Sequence, residues 1–196
     1  MILLPLFPLL AIAIKFDSKG PIFFTQRRVG RVWPDRTEYF NMIKFRSMCD
    51  HAEVETGAVW ATENDPRITK VGSFLQKTRL DELPQFINII KGDMSLVGPR
   101  PQVIYYTNQY TDELKLILSV KPGITDLASL YFLDMDKVLD SKNVDEKYAA
   151  EIEPIKNLLR LKYVKERSFL LDIRILIETV FGLIGKKNIT RLNIKP

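Results

Sequence analysis

An α+β fold, mainly helical with one small β-hairpin and an apolar helix at the N-terminus, follows from three features of the sequence. Two β-rich runs, PIFFTQ (21–26) and YFNMIKF (39–45), flank RRVGRVWPDRTE, whose Gly30 and Pro34 predict a hairpin with a long loop. Apolar residues at helical spacing, with caps and stop signals, recur from Val71 onward. Residues 1–14, MILLPLFPLLAIAI, carry no charge. With 196 residues, 46% hydrophobic and 27% charged, the chain is long enough to bury a core and has an ordinary globular balance, which excludes collagen-like and disordered classes.

The first element is the apolar run. As a helix it reaches only ~21 Å, short of a hydrocarbon core of ~30 Å. It lacks the basic start of a signal peptide and is followed directly by Lys15 and Asp17. Pro5 and Pro8 each remove a backbone donor and are expected to kink or break a helix. The run therefore suits a segment that enters a bilayer and turns, or one that lies on it; a buried core element is the alternative. The next stretch favours the membrane. From Lys15 to Arg46 there are eight basic residues against Asp17, Asp35 and Glu38, the excess expected beside a cytoplasmic leaflet.

After the hairpin, residues 50–65 are irregular. Val71, Phe74 and Leu75 predict a short helix; Leu80, Leu83, Ile87 and Ile90 continue at helical spacing, with Pro84 in a first turn and Gly92 as a stop. This puts Asp81 and Glu82 at a helix start. TDELKLILSV (111–120) opens with a capping Thr and acids and ends before a Lys-Pro-Gly turn. Residues 134–165 read as polar helix broken near Pro154, and Ser168 caps a last helix over 169–184. Asp172, Arg174 and Glu178 are the only charges in that helix, so it is buried in the core or lies in a membrane interface.

Composition narrows the chemistry. A lone Cys49 forms no disulfide within the chain, and a single His51 excludes a His-rich metal site; His51 reads as a surface residue. A formal charge of +5 and a pI near 9.2 fit an anionic partner. No helix-turn-helix, zinc-finger or RRM pattern is present, so nucleic acid is not the expected partner.

The densest set of reactive groups is KTRLDELPQ (77–85) with GDMSLVGPRP (92–101). Adjacent carboxylates at a helix start ordinarily cap its dipole. Here Lys77 and Arg79 flank Asp81 and Glu82, so cations and anions meet. Arg100 is held between Pro99 and Pro101, whose fixed φ angles restrict the backbone that carries the guanidinium, a setting suited to bidentate phosphate binding.

The runs SKGPIFFTQRRVG (18–30), FNMIKFRSM (40–48), KTRLDELPQFINIIKGDMSLVGPRP (77–101) and KPGIT (121–125) together resemble the bacterial sugar transferase family, the monotopic polyprenyl-phosphate phosphoglycosyl transferases. The resemblance runs from about Pro5 to Gly182. It implies an enzyme of the bacterial inner membrane, its catalytic domain on the cytoplasmic face, that moves a sugar-1-phosphate from a UDP-sugar to a polyprenyl phosphate and releases UMP. Asp81 is then the nucleophile that forms a covalent phosphosugar-aspartate, Glu82 its acid-base or metal-positioning neighbour, and Mg²⁺ near Asp81 neutralises the diphosphate. Arg100 is matched as a phosphate clamp. Lys44, Arg46 and Arg79 are further expected phosphate or headgroup ligands, with a solvated strand face as the alternative for Lys44 and Arg46. Residues 131–145 are expected to shape the donor pocket. Membrane lipids complete the expected partners. On this resemblance 1–16 form a membrane-associated segment, 17–185 the catalytic domain and 186–196 a basic tail. The sequence departs from the family pattern in three places. Leu4 stands before Pro5 where a Ser-Pro kink is usual, which implies a shortened re-entrant turn. Gln76 replaces a common Arg, and His51 falls where an acid is frequent. The shortened turn leaves a weakly active membrane-peripheral scaffold as the second reading.

Overall fold

The computed structural model describes residues 5–50, 52, 65–132 and 148–183. They form two compact units, one drawn from 1–26 and 42–87, the other from 27–41 and 88–196. Helices and small sheets mix in one chain, as the α+β expectation requires.

In the first unit, α1 (Leu6–Asp17) runs unbroken through Pro8. This corrects the expected kink: Pro5 is the N-cap and Pro8 the third helical residue, where an N–H has no intrahelical acceptor to lose. Leu4 and the residues before it lie outside the described part. α1 turns Phe7, Leu10 and Ile14 onto a core of Phe45, Leu75 and Leu83, with the Phe7 and Phe45 rings 5.1 Å apart. Its other side leaves Leu9, Ile12 and Phe16 exposed, Phe16 at 88%. No described helix is long and apolar enough to cross a membrane.

The C-terminus of α1 is held by polar contacts that its sequence makes possible. Arg46 donates from Nη2 to the Ser18 carbonyl at 2.8 Å, to Ser18 Oγ at 3.1 Å and to the Ile14 carbonyl at 3.4 Å, and from Nη1 to the Lys19 carbonyl. Gly20, at φ +122°, lets the chain close over that guanidinium; a Cβ there would stand 1.9 Å from Nη1. Asp17 Oδ2 accepts from the Val71 N–H at 2.8 Å, and Thr69 Oγ1 from the Gly72 N–H at 3.0 Å, so side chains satisfy two free donors at the start of α2 (Lys70–Thr78).

Strands β1 (Phe23–Val32) and β2 (Thr37–Phe45) pair as the expected hairpin, but the loop is short. RRVGRV belongs to the strand because its arginines lie along aromatic faces: Arg27 sits 4.7 Å from the Tyr39 ring centroid and Arg31 3.6 Å from that of Trp33.

The second unit contains a parallel pair that strand patterning did not predict. β3 (Ser95–Val97) lies beside β4 (Gly123–Thr125) in register Ser95 to Gly123 and Val97 to Thr125. Gly98 and Gly123 allow it: a Cβ on Gly123 would meet the Gly98 nitrogen at 2.2 Å. Short helices α4 (Ile104–Thr107), α5 (Asp112–Lys115) and α6 (Leu127–Tyr131) follow in the chain, then α7 (Glu153–Glu166) and α8 (Phe169–Leu183); α3 (Gln85–Lys91) precedes β3. Thr111 caps α5 as expected, accepting from the Leu114 N–H. Pro154 sits within the first turn of α7, where a wide π turn over Tyr148–Ile152 passes into the α-helix. The core joins Val97, Leu127, Leu130, Leu159, Tyr163 and Ile175. The last helix is a core element along one side: Leu171, Ile175 and Leu176 pack inward, while Phe169, Leu170, Ile173, Ile177, Val180 and Leu183 stay exposed.

Candidate active site

The expected nucleophile sits in a tight reversal of the chain. α2 ends at Arg79, the one described non-glycine residue at positive φ (59°), and the backbone enters a single 3₁₀ turn, Leu80–Glu82. The Glu82 N–H donates to the Arg79 carbonyl at 3.3 Å. Leu80 and Leu83 pack into or against the core of this unit, which fixes the direction of the acids between them. Pro84 follows and α3 starts at Gln85, so the carboxylates stand between two helices, close to the helix start that the sequence predicts.

The structure brings Lys44, Asp81 and Glu82 together. Lys44 Nζ lies 3.1 Å from Glu82 Oε1 and 3.7 Å from Asp81 Oδ2. The side chains are 23%, 9% and 13% exposed, respectively. One ammonium thus faces two carboxylates in a partly desolvated place, where Coulomb forces exceed their strength in water. Asp81 is buried against charge, which suits an anionic oxygen held ready to attack phosphorus. Among the described residues no group of three His, Cys, Asp or Glu side chains forms a metal site. Two adjacent carboxylates fit an ion such as Mg²⁺, which takes one or two carboxylates and fills its remaining positions with water and substrate phosphate.

Arg79 and Lys77 are exposed beside this turn. Arg46, two residues after Lys44, is 4% exposed, and its hydrogen bonds go to the end of α1. The structure thus gives Arg46 a structural role in place of the solvated strand face that was the alternative. Arg100 belongs to the second unit. Its backbone N–H donates to Asp126 Oδ2 at 3.1 Å and its Nη1 to the Ile124 carbonyl, so the proline-flanked arginine is fastened by both backbone and side chain. His51 and 133–147 lie outside the described residues, as does the tail from 184.

Two features escaped the sequence reading. Gln85 is fully buried, and neither its Nε2 nor its Oε1 has a hydrogen-bond partner among the described residues; an amide in a helical apolar run gives no sign of that. In the second unit Arg160, 3% exposed, donates to Glu153 Oε1 at 3.1 Å and Asn157 Oδ1 at 3.0 Å. With its amide oxygen turned toward the guanidinium, Gln102 accepts from both Arg160 Nη atoms at 2.7 Å. Asp126, fully buried, faces Arg160 Nε at 4.0 Å and caps α6 by accepting from the Ser129 N–H. The Glu153, Asn157 and Arg160 spacing of three to seven on one helix was the available signal. Burial pushes Lys156 down to about 8, helped by the neighbouring Arg160 charge, and its Nζ donates to Tyr148 Oη at 3.1 Å.

A family model described as bacterial sugar transferase matches residues 1–186. A protein of Aeromonas hydrophila named UDP-N-acetylgalactosamine-undecaprenyl-phosphate N-acetylgalactosaminephosphotransferase is 38% identical over 92% of this chain and 40% of its own length. The UDP-glucose:undecaprenyl-phosphate glucose-1-phosphate transferase of Escherichia coli (strain K12) is 38% identical over 95% of this chain and 38% of its own. A Bacillus subtilis (strain 168) protein, named a putative undecaprenyl-phosphate N-acetylgalactosaminyl 1-phosphate transferase, is 43% identical over 63% of each. The chain spans about two fifths of the length of the first two relatives. With almost its whole length matched by that model and its DELPQ carboxylates paired to the lysine of KFRSM, the chain belongs to the bacterial sugar transferase family.

Proposed function

We propose that this chain transfers a sugar-1-phosphate from a UDP-sugar to undecaprenyl phosphate in the synthesis of a bacterial surface polysaccharide. The observation that carries the reading is the Lys44, Asp81 and Glu82 cluster in a chain so similar to proteins named for that reaction. In the first step an Asp81 oxygen attacks the sugar-proximal phosphorus. A P–Oδ bond forms, the bond to the bridging oxygen breaks, and UMP leaves with that oxygen. In the second step an oxygen of the lipid phosphate attacks the same phosphorus and the Asp81 carboxylate departs, leaving a polyprenyl-diphosphate-linked sugar. Each step brings anions together, and Lys44 lowers that repulsion while Glu82 holds the ammonium in place. Mg²⁺, held by Asp81 and Glu82 when bound, would supply further neutralisation of the diphosphate. Arg79 is a further phosphate ligand in this reading, and Arg100 is carried as one on the resemblance of VGPRP alone. Arg46 is left out because its guanidinium is engaged by α1.

In this reading the chemistry takes place at the cytoplasmic face of the inner membrane, with residues 1–16 resting in lipid and 17–185 catalytic; the exposed apolar side of α1 and the basic excess after it support it. The test is UMP release from a panel of UDP-sugars by the full chain in membranes, with mass spectrometry of the protein. Wild type is expected to acquire a phosphosugar adduct, and Asp81→Asn to form neither adduct nor UMP even without lipid acceptor. Burst release of UMP by Asp81→Asn would overturn the covalent step; no UMP from any donor would favour the inactive scaffold. Arg100→Ala is expected to lower turnover at least ~10-fold through loss of a charge-assisted phosphate contact. Turnover within twofold of wild type would remove Arg100 from the proposal.

A further inference from the structure

A cleft of about 400 Å³ opens within the second unit, lined by Arg31, Lys121, Tyr163, Arg167, Ser168 and Asp172 among others. Its charges do not balance. Arg31, Lys121 and Arg167 bring three positive charges, and none of them forms an ion pair with a described residue, whereas Lys44, Arg67, Arg160 and Arg174 all do. Arg31 Nε is buried with no hydrogen-bond acceptor among the described residues, its guanidinium lying over the Trp33 ring. Asp172 is the one carboxylate in the lining, and its Oδ1 accepts from the Tyr163 hydroxyl at 2.9 Å. Burial, reinforced by Asp172, keeps that phenol protonated, so it adds no second negative charge. Ser168 and Phe169 form another wall, which puts the positive end of the 15-residue α8 on the cleft.

The three cations come from separate places: β1, the segment before β4, and the link from α7 to α8. Bringing them to one cavity with a single opposing carboxylate costs Coulomb energy that a bound anion of more than one charge removes. We propose that this cleft binds a phosphate group, with the two guanidinium forks and the lysine as its ligands. Two sources carry that chemistry, a soluble phosphate or diphosphate and an anionic lipid headgroup. Phe169 at the cleft is 77% exposed and Leu170 79%, which gives an acyl chain an apolar surface to follow. The inference does not depend on Asp81 being a nucleophile.

Calorimetric titration of the detergent-solubilised full chain with pyrophosphate and, separately, with dihexanoyl phosphatidylglycerol tests it. Wild type is expected to bind at least one of them, and the exposed-residue double variant Lys121→Gln/Arg167→Gln to bind it about 10-fold more weakly. Asp172→Asn, which removes the opposing charge, is expected to bind about 3-fold more tightly. Weakening seen only with phosphatidylglycerol assigns the cleft to a lipid headgroup, and weakening with pyrophosphate to a free phosphate. Lys115→Gln, whose lysine is paired with Asp112 on α5, is expected to match wild type. Binding of neither probe by wild type, double-variant affinity within twofold of wild type, an Asp172→Asn variant that binds more weakly, or equal weakening by Lys115→Gln would overturn the proposal.

Discussion

At Arg79 a long, charged residue holds a left-handed backbone that glycine adopts freely. Such a conformation costs a non-glycine residue about 1–2 kcal/mol, and residues kept in it cluster where function needs them. Arg79→Gly relieves that cost but adds about 0.5–1 kcal/mol of chain entropy to the unfolded state, so its Tm is expected at or slightly above wild type. Arg79→Ala keeps the strained backbone and removes only the guanidinium. Both variants are expected to lower UMP release about 10-fold if the side chain meets phosphate; wild-type turnover by Arg79→Ala in the same assay would show that the strain serves folding alone. Gln85 poses a related case, since an unpartnered buried amide costs about 1–3 kcal/mol. Gln85→Leu is expected to raise the urea midpoint while lowering turnover, and unchanged turnover would mark the amide as dispensable to the chemistry. At this scale the sequence identified residue types more surely than their partners. Lys44 and Arg46 are equivalent by composition and spacing, yet one faces the carboxylates and the other the end of α1, because only the packed chain decides which acceptors each can reach.

Among the elements, helices were the most legible. Caps at Thr111 and Ser168 and the apolar spacing of Val71, Phe74 and Leu75 are local signals, and local hydrogen bonds answer the two caps. The β3 and β4 pair was not legible, since three residues are too few to show alternation and their pairing depends on segments far apart in the chain. Its trace was instead in the glycines of VGPRP and KPGIT, which the resemblance had singled out and whose close backbone approach the structure explains. Gly72 makes the same point within α2: a Cβ there would stand 1.8 Å from the Ser47 carbonyl oxygen. Gly72→Ala therefore forces α2 away from that backbone despite alanine's better helix propensity. It is expected to cost about 1–3 kcal/mol, as overpacking does, with a lowered Tm by circular dichroism. A Tm equal to or above wild type would mean that α2 can shift freely.

For the molecule as a whole, the charge of +5 conceals internal pairing that sets how stability responds to pH. Lys156 is held at about 8 in the fold, first by burial, against about 10.4 in an unfolded chain. Below pH 8 both states carry the ammonium and the residue adds no slope. Between pH 8 and 10 the folded chain releases a proton that the unfolded chain keeps, so stability rises, by up to about 1.4 kcal/mol per pH unit. Tyr148 and Tyr163 act oppositely, because burial raises both and the unfolded chain ionises first above pH 10. Urea melts from pH 7 to 11 are expected to show this local maximum between about pH 9 and 10, and Lys156→Met to lose the rising limb. A rising limb of equal slope in Lys156→Met would assign it elsewhere. The apolar helix at the N-terminus was legible as bare composition, while its fastening was not, since that depends on Arg46 reaching back across 28 residues to Ser18. At the end of β2, Lys44 and Arg46 stand two residues apart, one gripping the acidic turn and the other the tail of α1. The strand end therefore works as a gauge block: wherever α1 comes to rest, the Asp81 and Glu82 oxygens stand at one set height from it, and no separate device is required to level them.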